Sequence, residues 1–400
     1  MANLIAIGFA EALSAPEVAW SLVDHGYEVV AFARRGRRSA LRHSRYVTVH
    51  EITAPEKDTT AAWNELTRLL TELGQSRRDK NVLLPLDDAF LWLGSRLELS
   101  SQWLSAGPRR EQAEVALDKS KQIERARAAG FAIPETAVVN QPDELAPFES
   151  WLPIILRPVH AAREHGGALR KGANWICADR TELNTVAQRW RGLQPLLVQR
   201  YISGTGEGIF GLSTVSGIVA WSAHRRLRMM NPHGSGSSAC VSEDVGEEVK
   251  SAAEKFLRSM EWRGLFMIEL LRAADGRIFF VEFNGRAWGS MALARRQGLE
   301  YPAWAVAATL DPSFMPAMPA SRVGKIECSN VGRELMHLLF VLRGPKSAAV
   351  KPWPSFSDSL SKMLSPGNPR AFYNYRGDDK KVFLADTLQT LRGQLLKGKS

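Results

Sequence analysis

The most restrictive feature of the chain is a pair of short runs on either side of residue 275. Phe266–Leu271 (FMIELL) and Ile278–Asn284 (IFFVEFN) are rich in aromatic and branched residues and flank an Asp275-Gly276 turn, the pattern of an antiparallel β-hairpin. In such a hairpin Glu269 and Glu282 come side by side, and Asn284 shares the face of Glu282 because strand side chains repeat every two residues. The second run breaks the usual alternation. Phe279, Phe280, Val281 and Phe283 occupy both faces, so Glu282 sits in a strand that is apolar on both sides. A carboxylate there is costly without a partner, and a bound cation offsets that cost. Two carboxylates and an amide oxygen make a hard donor set of the kind required by Mg²⁺ on nucleotide phosphates. Arg286 is placed to hold phosphate charge that the metal leaves over. On this motif alone, an amphipathic hairpin with merely solvated carboxylates is the competing reading.

The amino-terminal part has a different organisation. Asn3–Gly8 (NLIAIG) is an apolar run ending in glycine, Ala15–His25 has helical period behind a capping Ser14, and Glu28–Ala33 (EVVAFA) is a second β-rich run. Strand, helix and strand at this spacing form a right-handed βαβ unit. Its first turn, GFAEALS, lacks the second and third glycines of G-x-G-x-x-G, so an architectural Rossmann-like sheet is expected ahead of a dinucleotide site. Further strands are expected at Tyr46–His50 and Asn81–Leu86, with a helix over Thr59–Leu73 between them. The last of these strands delivers Asp87 and Asp88 to the carboxyl edge of the sheet. Open sheets place ligand groups there, and an aspartate at that point equally caps a helix beginning at Ala89. After Pro108 the pattern becomes one charged helix over Arg110–Gly130, then strands at Ile154–Arg157, Leu196–Tyr201, Ile218–Ala223, Gly264–Leu271 and Arg277–Phe283 with few helices. The expected class is α/β followed by α+β, with a boundary near residue 108.

Composition bounds the partners. At roughly 100–200 residues per domain, a chain of 400 residues holds two or three domains. The net charge of +10, from 52 Lys and Arg against 42 Asp and Glu, is spread along the chain with no basic module interleaved with aromatics. Nucleic acid is therefore not an expected partner, and an anionic small substrate explains the charge. Cys177, Cys240 and Cys328 have no metal-like spacing and are expected as reduced structural thiols. No leader pattern and no uninterrupted apolar run of about 18 residues is found, so a cytoplasmic protein without a membrane span is expected.

From Val281 the sequence reads VEFNGRAWGSMALARRQGLEYP. It closely resembles the signature that closes the nucleotide site of ATP-grasp enzymes, especially the carbamoyl-phosphate-synthase-like and carboxylate–amine ligase branches, where it commonly reads E-[IV]-N-P-R. Gly285 stands here for the proline. The resemblance extends over roughly residues 1–310. It implies an ATP-grasp fold with an N-terminal Rossmann-like pre-ATP-grasp domain (1–108), a two-lobed ATP-grasp domain (109–310, hinge near 196–204) and a C-terminal accessory region (311–400).

The resemblance also implies roles for single positions. Glu269, Glu282 and Asn284 are the implied metal ligands. Asp118-Lys119 matches the D-K pair near the start of the grasp, which directs Lys119 to nucleotide phosphate, and PIILRPV places Arg157 on the next strand. His160–Gly172 matches the glycine-rich phosphate lid, in which Gly166 and Gly167 admit backbone amides and Arg170 and Lys171 add charge. Leu196–Ile202 matches the hinge strand, with Gln199, Arg200 and Ile202 at the adenine and Gln199 where glutamate is frequent. Glu207 falls where members place a ribose or acceptor-side acid. In His224–Ser238, Arg226 and Arg228 share a face if the strand is regular. They are an expected grip on a carboxylate or acyl phosphate, with Arg286 as a third catalytic cation; a basic edge strand is the plainer reading.

The implied chemistry is ATP- and Mg²⁺-dependent activation of a carboxylate as an acyl phosphate for attack by an amine. Mn²⁺ can substitute, small acids and amines are the partners, and a homodimer is the expected assembly. The rival readings are another nucleophile, bicarbonate or a thiol, and a nucleotide-binding protein without turnover. No general base is assigned; His224 and His233 are expected to be structural. Beyond residue 310, DPSFMPAMPAS reads as a connector, Val331–Leu342 as an amphipathic helix and KGKS as a frayed tail. Trp353 and Phe356 are aromatics for a site edge, a partner surface or a local core.

Overall fold

The computed structural model describes residues 2–75, 79–234, 236–320, 324–365 and 367–397; Ser321 of the connector and Gly398–Ser400 of the basic tail lie outside them. The chain begins with β1 (Leu4–Gly8), α1 (Ala15–Asp24), β2 (Glu28–Arg34), β3 (Val47–Ile52), α2 (Thr59–Gln75), β4 (Asn81–Pro85), α3 (Asp88–Gly94) and the short β5 (Trp103–Ser105). The strands form a parallel sheet of order β3-β2-β1-β4-β5. Strand β1 is buried throughout because helices cover both faces of the sheet. Ile5 and Ile7 pack against α1, while Leu4 and Ala6 face α2 and α3. The strand order reverses between β1 and β4, and a crevice opens at their carboxyl ends, where Gly8 and Pro85 are neighbours. Gly8 must lack a side chain, since a Cβ would stand 2.2 Å from the Phe90 ring.

The expected single helix over 110–130 is in fact two, α4 (Arg110–Leu117) and α5 (Lys119–Ala128). Asp118 between them is extended, and its carboxylate accepts from the amides of Ser120 and Lys121 at 2.9 and 3.2 Å. An aspartate N-cap thus restarts the helix and sets Lys119 in its first turn.

A smaller lobe follows, made of β6 (Thr136–Val139), β7 (Ile154–Pro158), the hairpin β8 (Arg163–His165) and β9 (Ala168–Arg170), then β10 (Trp175–Cys177), α6 (Arg180–Trp190) and β11 (Leu196–Arg200). Its sheet has the order β10-β7-β11-β6 and packs Ile154, Leu156 and Val198 against Leu183, Val186 and Trp190 of α6.

The larger sheet is built from β12 (Gly204–Thr214), β13 (Gly217–Met229), β14 (Ser237–Glu243), β15 (Gly264–Ala273) and β16 (Ile278–Asn284), with α7 (Glu247–Arg258) between β14 and β15. Helices α8 (Met291–Arg296) and α9 (Tyr301–Leu310) follow, then β17 (Glu327–Ser329), α10 (Val331–Arg343), α11 (Phe356–Leu364), β18 (Arg370–Phe372) and α12 (Lys380–Lys397). The strand order is β16-β15-β12-β13-β14-β17-β18, antiparallel except for the last pair. One face carries Phe266, Ile268 and Phe283 onto Phe256 of α7. The other carries Phe210, Leu265 and Met267 into a core shared with α1, β1 and Tyr301, so the two sheets are welded by a common core. The edge strand β16 is closed by Gln122, whose side-chain amide both donates to and accepts from the backbone of Phe283 at 3.0 Å.

The region beyond residue 310 is woven into the rest. β17 and β18 extend the large sheet, and Asp379 accepts from Trp20 Nε1 at 3.0 Å and Ser44 Oγ at 2.6 Å. Trp353 donates to the Val341 carbonyl and lies against the His233 ring. All three cysteines are free and buried, and Cys240 and Cys328 are cross-strand neighbours despite their separation in sequence. No helix among the described residues is long and apolar enough to cross a membrane.

Candidate active site

Glu269 and Glu282 are direct register partners in the β15–β16 hairpin. Their row continues across the sheet through Gly208 on β12 to His224 on β13. Asn284, two residues beyond Glu282, is buried on the same face. A guanidinium holds each of the three. Arg157, from β7 of the smaller lobe, donates to Glu282 Oε2, and Lys119 Nζ lies 3.9 Å from Glu282 Oε1. Arg226 Nη2 donates to Glu269 Oε2 at 2.6 Å, and Arg286 Nη2 to Asn284 Oδ1 at 3.0 Å. Burial works against ionisation of Glu282, but Lys119 and Arg157 outweigh it and keep the carboxyl below its ordinary pKa.

The parallel sheet completes the group. Arg286 Nε donates to Asp88 Oδ1 at 2.6 Å. Burial would raise the Asp88 pKa, yet the charges of Arg286, Lys171 and Lys119 hold it at about 2. Asp87 is the helix cap: Oδ1 accepts from Phe90 N at 2.8 Å, while Oδ2 accepts from Arg34 Nη2 at 2.8 Å. Arg34 also pairs with Glu11 and Glu56 and lies over the Phe9 ring, 4.0 Å from its centroid. A cavity of about 500 Å³ gathers Asp87 and Asp88 from the first sheet, Lys171 beside the hairpin, Glu269 and Arg286 from the large sheet, and Arg333 from α10.

Other expected positions lie elsewhere. Arg228 does not share a face with Arg226, because bulges in β13 shift the register around it and break the two-residue repeat. It makes a buried bidentate pair with Glu334 of α10, its Nε 2.9 and 3.1 Å from the two oxygens. Gly166 and Gly167, at φ 59° and 73°, form the two-residue turn of the β8–β9 hairpin. Both glycines adopt the left-handed backbone of that turn. Gly167 N donates to Glu164 Oε1, and Gly167 O accepts from Thr59 N at the start of α2. The hairpin tip is therefore docked on the first sheet, and Arg170 and Lys171 beyond it line the cavity. Glu207 points to the face of β12 opposite Gly208 and is held by Arg272 at 2.6 and 2.9 Å. At the junction of the lobes, buried Gln199 donates to Thr136 Oγ1, exposed Arg200 pairs with Glu135, and Ile202 is half-buried. These three, like Lys119, Arg157, Glu282 and Asn284, are not among the residues that line the cavity.

His224 is buried, bonded through Nδ1 to Ser290 Oγ at 2.8 Å, and its pKa is pushed down to about 3 by burial and then by Arg226. His233 accepts from Lys346 N at 2.6 Å. The sequence reading missed Arg34 with its three carboxylates, the Asp88–Arg286 pair, the Gln122 clamp and Arg333. The first two were within reach of the rule that singled out Asp87, since Arg34 also ends a strand at the same sheet edge. Gln122 and Arg333 carry no local pattern.

No cluster of three or more His, Cys, Asp or Glu among the described residues is placed to hold a metal. The donor set is instead two carboxylates and an amide. Each carboxylate engages its arginine through Oε2; Oε1 of Glu269 has no partner among the described residues, and Oε1 of Glu282 faces Lys119 Nζ at 3.9 Å. That chemistry fits Mg²⁺ or Mn²⁺.

The architecture recurs in solved structures. An L-amino acid ligase from Bacillus licheniformis aligns with 78% of this chain and 75% of its own at 16% identity, with a TM-score of 0.58. The ADP complex of purK, an N5-carboxyaminoimidazole ribonucleotide synthetase, aligns with 90% of this chain and 95% of its own at 12% identity and a TM-score of 0.60. Biotin carboxylase from Campylobacter jejuni covers 81% of this chain and 74% of its own at 14% identity and a TM-score of 0.58. No protein-family model and no curated protein sequence matches the chain. The fold is the ATP-grasp fold, with an N-terminal Rossmann-like sheet and a C-terminal segment.

Proposed function

We propose that the chain is an ATP-dependent ligase that activates a carboxylate as an acyl phosphate and passes the acyl group to an amine. The observation that carries this reading is the register pair Glu269–Glu282 across the β15–β16 hairpin, with Asn284 beside it and with Lys119, Arg157 and Arg286 converging on it. Lys119 and Arg157 bind nucleotide phosphates, and Gln199, Arg200 and Ile202 border the adenine at the junction of the lobes. Glu269, Glu282 and Asn284 hold Mg²⁺ or Mn²⁺, which supplies charge compensation to the phosphate oxygens. Arg286 and Arg226 steady the acyl phosphate with planar, doubly donating guanidinium groups. Arg170 and Lys171 close the cavity from the hairpin side. Neither Arg228 nor Glu207 has a part in this scheme, because each is committed to a partner elsewhere.

In the first step a carboxylate oxygen attacks the γ-phosphorus, the bond to the β–γ bridging oxygen breaks, and ADP leaves. In the second the amine nitrogen attacks the acyl carbon, phosphate leaves, and the nitrogen gives up one proton. The protein provides no nucleophile of its own. It orients the reactants, meets developing charge with fixed cations and keeps water from the acyl phosphate. The fold shared with an amino acid ligase and with an ADP-bound synthetase supports the reading.

The test is ADP release by the full chain with Mg²⁺, ATP and paired panels of small acids and amines. Release is expected only when an acid is present. Glu282→Gln should lower it by about 100-fold or more in a chain that still folds, at a reduced melting temperature because Arg157 loses its carboxylate. Full turnover by that variant would remove the metal assignment.

A further inference from the structure

Every carboxylate that lines the cavity is matched by a guanidinium. Arg34 takes Glu56 and Asp87 at 2.9 and 2.8 Å, Arg286 takes Asp88 at 2.6 Å, and Arg226 takes Glu269 at 2.6 Å. Three lining cations are left over: Arg170, Lys171 and Arg333 have no carboxylate within ion-pair distance among the described residues.

Arg333 is the most firmly placed of the three. It stands in the first turn of α10, where Asn330 accepts from its backbone N–H at 3.0 Å and donates to Asp386 at 2.7 Å. Gly332 seats the same turn against α12, since a Cβ there would stand 2.9 Å from Thr390. Among the described residues the Arg333 side chain donates a single hydrogen bond, from Nη1 to the Ser237 carbonyl at 3.2 Å. Gly236, also on the cavity wall, makes room for it, because a Cβ at that position would come within 2.5 Å of Nη1. A guanidinium has five N–H donors, and withdrawing it from water with no acid in ion-pair contact is costly, the nearby charge of Asp386 offsetting only part of that cost. Arg333 stands on the cavity wall. At the carboxyl edge of the parallel sheet the charge balance is reversed: Glu11, Glu56 and Asp87 share the one guanidinium of Arg34.

We propose that the cavity accepts an amine that carries its own anionic group, with Arg333 gripping the anion and the Glu56–Asp87 wall receiving the nitrogen, which arrives as ammonium and gives one proton to solvent before it attacks. The proposal rests on the ligase reading and names its acceptor class. A guanidinium presents parallel N–H groups to a carboxylate or a phosphate alike, so the acceptor is an amino acid or an amine bearing a phosphate ester, and a plain amine is excluded.

The experiment is calorimetric titration of the full chain, loaded with Mg²⁺ and a non-hydrolysable ATP analogue, with matched probes: the common amino acids against their carboxamides, and phosphoethanolamine against ethanolamine. In at least one pair the anionic member is expected to bind about tenfold or more tightly than its neutral partner, and the pair that responds separates carboxylate from phosphate. Arg333→Gln should remove that preference, Arg333→Lys should keep part of it, and nucleotide affinity should stay unchanged in both. Gly236→Ala, which crowds the guanidinium and retains its charge, should weaken the preference as well and serves if Arg333→Gln does not fold. Equal binding within all pairs, binding of no probe, or a preference that survives Arg333→Gln would overturn the proposal. Failure of the ligase reading would look different: the preference would be intact, but the same preparations would bind no ATP or release no ADP.

Discussion

Glu282 and His224 occupy one row of the large sheet and meet burial in opposite ways. Glu282 stays ionised because Lys119 and Arg157 reach it from α5 and β7. His224 stays neutral, since burial and then Arg226 push its pKa from 6.5 down to about 3. Unfolded, the imidazole takes up a proton near pH 6.5, and the folded chain refuses it until about pH 3. The stability it contributes is complete above pH 6.5 and is lost as pH falls, at up to about 1.4 kcal/mol per pH unit. Urea unfolding of wild type and His224→Gln at pH values from about 7 to 5 should therefore give a shallower pH slope for the variant. Equal slopes would place the dependence on other groups. At this scale the carboxylates were readable, because alternation within one hairpin decides where they point. Their cationic partners were not all readable, because Arg226 reaches Glu269 from two strands away.

That reach depends on β12. Its glycines at 206 and 208 leave the sheet surface bare where the side chains of Arg226 and His224 cross it. A Cβ at Gly206 would stand 2.7 Å from Arg226 Cδ, and one at Gly208 would stand 3.1 Å from His224 Nε2. Gly206→Ala is expected to fold normally, because the displaced atoms belong to a flexible side chain, and to push Arg226 off Glu269. ADP release should fall by about 10- to 100-fold at nearly unchanged melting temperature, whereas wild-type turnover would show that the route across β12 is immaterial. Elements with strong local pattern were legible: the parallel sheet, the β15–β16 hairpin and α10 all lie close to their expected bounds. The break at Asp118 was hidden because the surrounding stretch is charged and has little apolar periodicity to interrupt. The paired glycines at 166 and 167 fit a phosphate loop and a two-residue hairpin turn equally well in sequence. The antiparallel pairing of 163–165 with 168–170 shows the turn. A bulge such as that beside Arg228 leaves no mark in composition.

For the molecule as a whole, the cavity exists only because distant parts of the chain converge. Asp88 comes from the first sheet, Arg286 from the large sheet and Arg333 from the last hundred residues, and the common core fixes the first two relative to each other. The last region also spans the lobes: Ser347 donates to Glu182 of α6, and Ser203 to the Lys351 carbonyl. Such contacts join residues about 150 positions apart or more, and nothing in a local window announces them. The fold class was legible because it is repeated in many short patterns, whereas the acceptor end of the cavity is written once, in single residues. The central claim is a nucleotide site with a divalent cation held at the Glu269–Glu282 pair. Calorimetric titration of the full chain with ATP, in Mg²⁺ and in chelator, tests it most directly. Tight uptake that depends on Mg²⁺ in the wild type, with that dependence abolished in Glu282→Gln, is the predicted result. Absence of ATP uptake, or the same Mg²⁺ dependence in the variant, would contradict it.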